Sequence, residues 1–267
     1  MIPNICHFIF GLEPQSKPFL YAYYMAILSA QLVNKPDRIT IYYHHMPYGM
    51  YWGKLKALDN IFFKHVELPT HVGDKRIKKT AHFTDVLRIE ILRRYGGIYL
   101  DIDTICVKPW AHLLNNTCVM AKERVFPDAP LNDRGFGPSV PRLCNAVILS
   151  QPDTEFMRKW VDMYEEWFDP DGWGEACLIL PYKVRELLPE SITVLDRSTF
   201  LEPCWDRVDD IFQNKISQIP PELITLHLWE THSLKYLSTI DDEWCSKNNH
   251  TLYGKIINNL KQYESLN

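Results

Sequence analysis

The stretch from Ala81 to Trp110, AHFTDVLRIEILRRYGGIYLDIDTICVKPW, constrains the fold more than any other part of this chain. Leu87, Ile91 and Tyr95 recur every four positions with Val86 and Leu92 beside them, which predicts a helix over 82–95 with one buried face. Thr80 or Thr84 is placed to cap its start. Gly96 and Gly97 end it, because residues without Cβ take the left-handed conformations that close a helix and turn the chain back. Ile98, Tyr99 and Leu100 then read as a short buried strand that delivers Asp101 and Asp103 at its far end.

In an extended chain residues two apart face the same side, so the two carboxylates converge from Cα atoms roughly 6 to 7 Å apart. Two such anions call for a cation, and hard oxygen ligands suit Mg2+ or Mn2+, which fill their remaining positions with water and phosphate oxygens. Asp85 and Arg88 sit three apart on one helix face. They are either a surface ion pair or, if the helix packs on the next strand, neighbours of its carboxyl end.

This stretch resembles the glycosyltransferases of family 32 and their relatives with a DXD sugar-binding motif, whose pattern runs A-x-x-S-D-x-x-R-x-x-x-L-x-x-x-G-G-x-Y-x-D-x-D. Ala81, Thr84, Asp85, Arg88, Leu92, Gly96, Gly97, Tyr99, Asp101 and Asp103 stand in register with it, Thr84 replacing the usual Ser but keeping the hydroxyl. The opening IPNICHFIF is similar to the family's I-P-K-x-I-H-x-x-W, with His7 matching and Phe10 in place of Trp. LCNAVILS followed by Pro152 resembles its N-A-x-x-x-x-x-P segment, which puts Asn145 beside the donor sugar. His227 and Trp229 match an H-x-W near the C-terminus, although Leu234 follows Ser233 where Trp is usual.

Elsewhere apolar strands alternate with helical stripes. Strands are predicted at 2–10, 38–45 and 62–68, helices at 17–33 and 51–60, a strand at 118–122, and a long Pro, Gly and Asp-rich loop at 126–142. Thr104 to Val107 reads as a continuation of the Asp101–Asp103 strand. Beyond a strand at 143–150 come helices at 154–168 and 175–188, a strand at 223–229 and a helix in the tail from Asn248. The alternation implies an α/β fold with a mostly parallel sheet flanked by helices, and the resemblance implies that it is of the GT-A type, Rossmann-like, with an α-rich C-terminal elaboration. One glycosyltransferase domain over 1–267 is expected, 1–115 forming the nucleotide-sugar-binding half and 116–267 the acceptor-side half. In such sheets ligands bind beyond the carboxyl ends of the strands, where Asp101 and Asp103 fall.

A net charge of −4 with dispersed Lys and Arg excludes nucleic acid as a partner, and Lys75, Arg76, Lys78 and Lys79 read as a solvated loop. Seven scattered cysteines without CxxC spacing imply a reducing compartment. No signal peptide or integral membrane segment is visible, so a cytoplasmic enzyme of bacterial or viral type is expected. Adjacent strand residues His44 and His45 point to opposite faces and cannot grip one ion. Asp169 and Asp171 lack the further acidic ligands of a calcium loop.

The resemblance implies a metal-dependent, retaining hexosyltransferase that takes a UDP- or GDP-sugar and a glycan or other hydroxyl acceptor. Mn2+ or Mg2+ would be held by Asp101, Asp103 and His227, the two aspartates being the catalytic pair. Phe10, Thr84, Asp85, Arg88, Tyr99, Asp101, Asn145 and Trp229 would bind the donor, Tyr99 lying under the nucleotide. Trp173 and Glu175 are candidate acceptor-pocket residues, and no dedicated nucleophile is evident. Two alternatives stay open on the residues alone: a haloacid-dehalogenase-like phosphatase, because DIDT fits its D-x-D-x-T signature, and a silent nucleotide-sugar or carbohydrate-binding protein.

Overall fold

The computed structural model describes residues 1–132, 135–213 and 215–265. The first half runs β1 (Ile5–Ile9), α1 (Tyr21–Asn34), β2 (Arg38–Tyr43), α2 (Met50–Leu55), β3 (Ile61–His65), a small hairpin of β4 (His71–Val72) and β5 (Lys75–Arg76), α3 (Thr80–Tyr95) and β6 (Gly97–Leu100). The second continues with β7 (Thr104–Cys106), β8 (Cys118–Lys122), β9 (Leu143–Ser150), α4 (Glu155–Trp167), α5 (Leu180–Leu187), β10 (Thr193–Leu195), α6 (Asp209–Phe212), β11 (Thr225–His227), α7 (Glu230–Leu237), α8 (Asp242–Lys247) and α9 (Leu252–Ser265).

Seven strands form the main sheet in the order β10-β8-β9-β6-β1-β2-β3. Only β9 runs against its neighbours there, so the sheet is mostly parallel as expected. Side-chain alternation splits each strand between two buried layers. Cys6, Phe8, Ile98 and Leu100 face the layer covered by α1 and α9, while Ile9 and Tyr99 face the one built with α3, α4 and α5. Helices α1 and α3 thus lie on opposite faces and leave a crevice at the carboxyl ends of the adjacent strands β1 and β6.

Three local expectations are corrected. Neither threonine caps α3: Lys79 is its extended N-cap, Thr80 is the first helical residue, and the Thr84 hydroxyl donates back to the Thr80 carbonyl at 3.3 Å inside the helix. Asp101 and Asp103 do not extend β6. The strand ends at Leu100, and Thr104 N–H donates to the Asp101 carbonyl at 3.0 Å, closing a turn that carries both aspartates. Finally, β7 leaves the main sheet and pairs antiparallel with β11. The hairpin, β10 and α6 to α8 escaped the sequence reading because such short elements carry too few residues for a period.

The basic cluster is structural. Lys75 donates to the carbonyls of Glu165 and Phe168 at the end of α4, Lys78 pairs with Asp171 at 2.7 Å, and Lys79 reaches the carbonyls of Asp171 and Gly172. All seven cysteines are free and buried.

The Gly-Gly turn is locked from below. His7, 2% exposed, donates from Nε2 to the Gly96 carbonyl at 2.9 Å and accepts from the Tyr42 hydroxyl at Nδ1, so its ring is neutral in the fold. Burial lowers its pKa from 6.5 to about 4, against the Gly96 bond. The unfolded chain therefore takes up the proton first. His7 contributes its full stabilisation above pH 6.5, and about 3 kcal/mol of it is lost as pH falls towards 4; His7→Gln is expected to flatten this part of a stability–pH curve measured by urea unfolding.

At Gly97 the backbone φ is +100°, and an added Cβ would lie 2.6 Å from the Ile5 carbonyl oxygen. Gly97→Ala is expected to cost more than about 2 kcal/mol in urea melts. Gly53→Ala, in α2 with nothing within 4 Å of the new Cβ, is expected to be neutral or to stabilise by about 0.5–1 kcal/mol.

Candidate active site

The turn after β6 opens into a cavity of about 1030 Å³ beyond the carboxyl end of the sheet. Its floor is built on Arg88, which α3 projects into the protein at 5% exposure. The guanidinium donates to the Asn145 carbonyl at 2.7 Å, pairs with Asp101 Oδ1 at 3.1 Å and with Asp85 Oδ1 at 3.3 Å, and lies 4.6 Å from the Tyr99 ring centroid. Asn145 Nδ2 donates to Asp85 Oδ1 at 2.8 Å, and the Tyr99 hydroxyl donates to Asp101 Oδ1 at 2.7 Å. The helix, the DXD turn and β9 are joined by this one cation.

The third component arrives from the far end of the chain. Antiparallel pairing of β11 with β7 sets His227 opposite Thr104, the residue after Asp103. His227 Nε2 comes to 3.3 Å from Asp103 Oδ1 and 3.9 Å from Asp101 Oδ2. Asp103 Oδ2 is held by the Glu230 N–H at 2.7 Å, the first residue of α7. Each aspartate thus spends one oxygen on fixed protein donors and turns the other towards His227.

Burial pushes the Asp101 carboxyl up, more than Arg88 and His227 pull it back. Burial acts on Asp103 in the same sense, but His227 and the Glu230 amide outweigh it and hold this carboxyl below the usual range. For His227 burial favours the neutral ring, yet Asp103, with Asp101 and Glu123, raises its pKa. This arrangement suits a cation: the three groups each offer one ligand atom, all within 4.8 Å of one another, and His227 Nδ1 is buried without a partner. Two carboxylate oxygens and an imidazole nitrogen fit a divalent cation.

Of the other expected residues, Phe10, Thr84, Asn145 and Trp229 line the cavity together with Arg88 and Asp101. Asp85, at 6% exposure, lies behind them. Phe10 leans on Phe19 and Tyr23 at 5.0 and 5.2 Å. Trp229 takes a left-handed conformation at φ 56°, packs on His227 at 4.1 Å and donates from its indole to the Pro203 carbonyl. The Tyr99 side chain, also in the cavity lining, is buried against Arg88 and supports Asp101 through its hydroxyl. Trp173 is exposed at the rim, but Glu175 is buried and accepts from Asn132 at 3.2 Å, away from the cavity. Glu123 and Glu230, also in the cavity wall, were missed; neither lies in a motif, and both are brought in by neighbouring chain turns.

Residues 21–120 match the family described as the glycosyltransferase sugar-binding region containing DXD motif. Glucan organizing enzyme 1 of Cryptococcus neoformans var. grubii serotype A is 28% identical over 268 residues, covering 96% of this chain and 70% of that protein. Among solved structures, the WbbM bifunctional glycosyltransferase superposes with a TM-score of 0.51 at 12% identity, covering 96% of this chain and 51% of that one. The galactosyltransferase LgtC, solved with donor and acceptor sugar analogues, gives a TM-score of 0.42 at 14% identity over 91% of this chain and 99% of its own.

The fold is thus of the GT-A type. The chain is a glycosyltransferase that carries the DXD sugar-binding region. The family match is to a sugar-binding region and not to a phosphatase, which speaks against the phosphatase alternative.

Removing Arg88 leaves buried Asp85 and half-buried Asp101 without their cation. Arg88→Ala is expected to cost about 3–5 kcal/mol, whereas Tyr99→Phe, which deletes one hydrogen bond, is expected to cost about 1 kcal/mol, both read from chemical denaturation.

Proposed function

We propose that this enzyme transfers a hexose from a UDP- or GDP-sugar to a hydroxyl of a glycan, with retention of anomeric configuration and with Mn2+ or Mg2+ as cofactor. The observation that carries this reading is the convergence of Asp101, Asp103 and His227, each with one ligand atom left facing the others. These three would hold the ion, and when bound it supplies Lewis-acid stabilisation of the negative charge on the departing diphosphate.

The chain's own groups do the positioning. Glu230 N–H and the backbone around Asp103 fix the aspartate that faces His227. Arg88 holds Asp101 still and keeps Asp85 and Asn145 in one hydrogen-bonded cluster, where we place the hydroxyls of the donor sugar. Thr84, Phe10 and Trp229 line the same cavity. Because Arg88 is bound on all sides, this cluster is rigid before substrate arrives and spends little binding energy on ordering.

The domain reading goes with this assignment: a single catalytic unit, residues 1–115 supplying Phe10, Thr84, Asp85, Arg88 and the DXD turn, and 116–267 facing the acceptor while returning Asn145, His227 and Trp229 to the donor site. A glycan acceptor and a role in glycan biosynthesis are supported by the name of the fungal relative. Among the described residues no helix is long and apolar enough to cross a membrane, and seven unpaired buried thiols support a reducing, cytoplasmic setting.

The test is incubation with Mn2+ and each common UDP- or GDP-hexose, following nucleotide release and the thermal midpoint. Mn2+ is expected to raise the midpoint and to support release from one donor, and Asp103→Asn to lower release by about a hundredfold or more. Release that survives both chelation and Asp103→Asn would remove the basis for a metal-held diphosphate.

A further inference from the structure

The cavity continues past the acidic triad onto a strip of rings that the donor cluster does not use. Phe126, on the loop after β8, lies 5.0 Å from Trp205. Trp205 in turn stacks on His232 of α7 at 5.3 Å with the planes 26° apart. All three line the cavity, the first two half-buried and the last exposed. Arg124 lies 4.9 Å from the Phe126 ring centroid and pairs with Asp206 at 2.8 Å, which pins the Phe126 loop to the Trp205 turn.

This strip is joined to the triad. The Trp229 ring packs on His227, and its indole N–H donates at 2.8 Å to the carbonyl of Pro203, two residues before Trp205. Glu123 and Arg142 stand in the same wall. A row of packed rings with a carboxylate in the same cavity wall makes a continuous surface beyond the triad.

Space and topology indicate what it takes. At about 1030 Å³ the cavity stands at the upper edge of the roughly 300–1,000 Å³ usual for a ligand site, and it extends past the donor cluster to the strip. The crevice between β1 and β6, bounded by Phe10 and the DXD turn, is where the sheet topology directs a nucleotide. The strip lies outside that crevice, on chain segments from β8 onwards. A pyranose ring offers an apolar C–H face to aromatic surfaces and hydroxyls to polar groups at their edge, which matches this pattern.

We propose that Phe126, Trp205 and His232 form the acceptor subsite, a stacking floor for a neutral pyranose ring of the receiving glycan, with Glu123 accepting a hydrogen bond from one of its hydroxyls. The assignment rests on the glycosyltransferase reading of the triad and adds the surface that selects the acceptor.

The experiment is saturation-transfer NMR titration of the full chain with methyl glucosides, galactosides and mannosides and with cellobiose, maltose, lactose and mannobiose. Mn2+-UDP and Mn2+-GDP are titrated in parallel. At least one glycoside is expected to bind saturably. Trp205→Ala and His232→Ala are expected to weaken it at least tenfold and Trp205→Phe to recover part of the loss, with nucleotide affinity within twofold throughout. Exposed His232 provides the decisive variant should Trp205→Ala not fold. Absence of binding by every glycoside, or a loss in these variants that falls on the nucleotide instead, overturns the proposal. Failure of the triad reading looks different: glycosides bind, but neither nucleotide binds in a Mn2+-dependent way.

Discussion

Arg88 is a permanently charged group placed where water barely reaches, and the site is arranged around the need to neutralise it. Its guanidinium touches Asp85 on its own helix, Asp101 on the turn after β6, the Asn145 carbonyl on β9 and the ring of Tyr99. Desolvating a charge to this degree is costly unless its donors are all met by well-placed acceptors. Meeting them forces α3, β6 and β9 into one arrangement. The outward oxygen of Asp101 is a consequence, since its other oxygen is committed to Tyr99 and Arg88.

The second constraint is a pair of three-residue strands. Neither β7 nor β11 is long enough to be stable alone, but their pairing brings His227 against the DXD turn and starts α7 where its first amide meets Asp103. A cation site assembled in this way depends on contacts more than a hundred residues apart in sequence. It also couples the triad directly to Trp229 and to the aromatic strip beyond.

Much of the first half was legible. The period of α3, the Gly-Gly turn and the apolar run of β6 each have a local cause, and ten residues in register with a known pattern name the candidates. What misled was the treatment of DID as extended chain. The strand in fact gives way to a turn stabilised by the Thr104 amide and the partnership with β11, neither of which leaves a local signature. Tyr99 shows the same limit: a motif position marks a residue as needed without saying whether it meets the ligand or supports a neighbour that does.

By itself the sequence determined the alternating strands and helices, the sharp glycine turn and the presence of paired acidic groups with a basic partner, because these follow from side-chain period, backbone freedom and charge along a few neighbouring residues. Only the tertiary structure decided which oxygen of each aspartate is left over, that His227 faces them, and that Phe126, Trp205 and His232 make one surface. Those depend on through-space packing between segments far apart in the chain, where the energy lies in burial and in charge compensation that no single stretch contains.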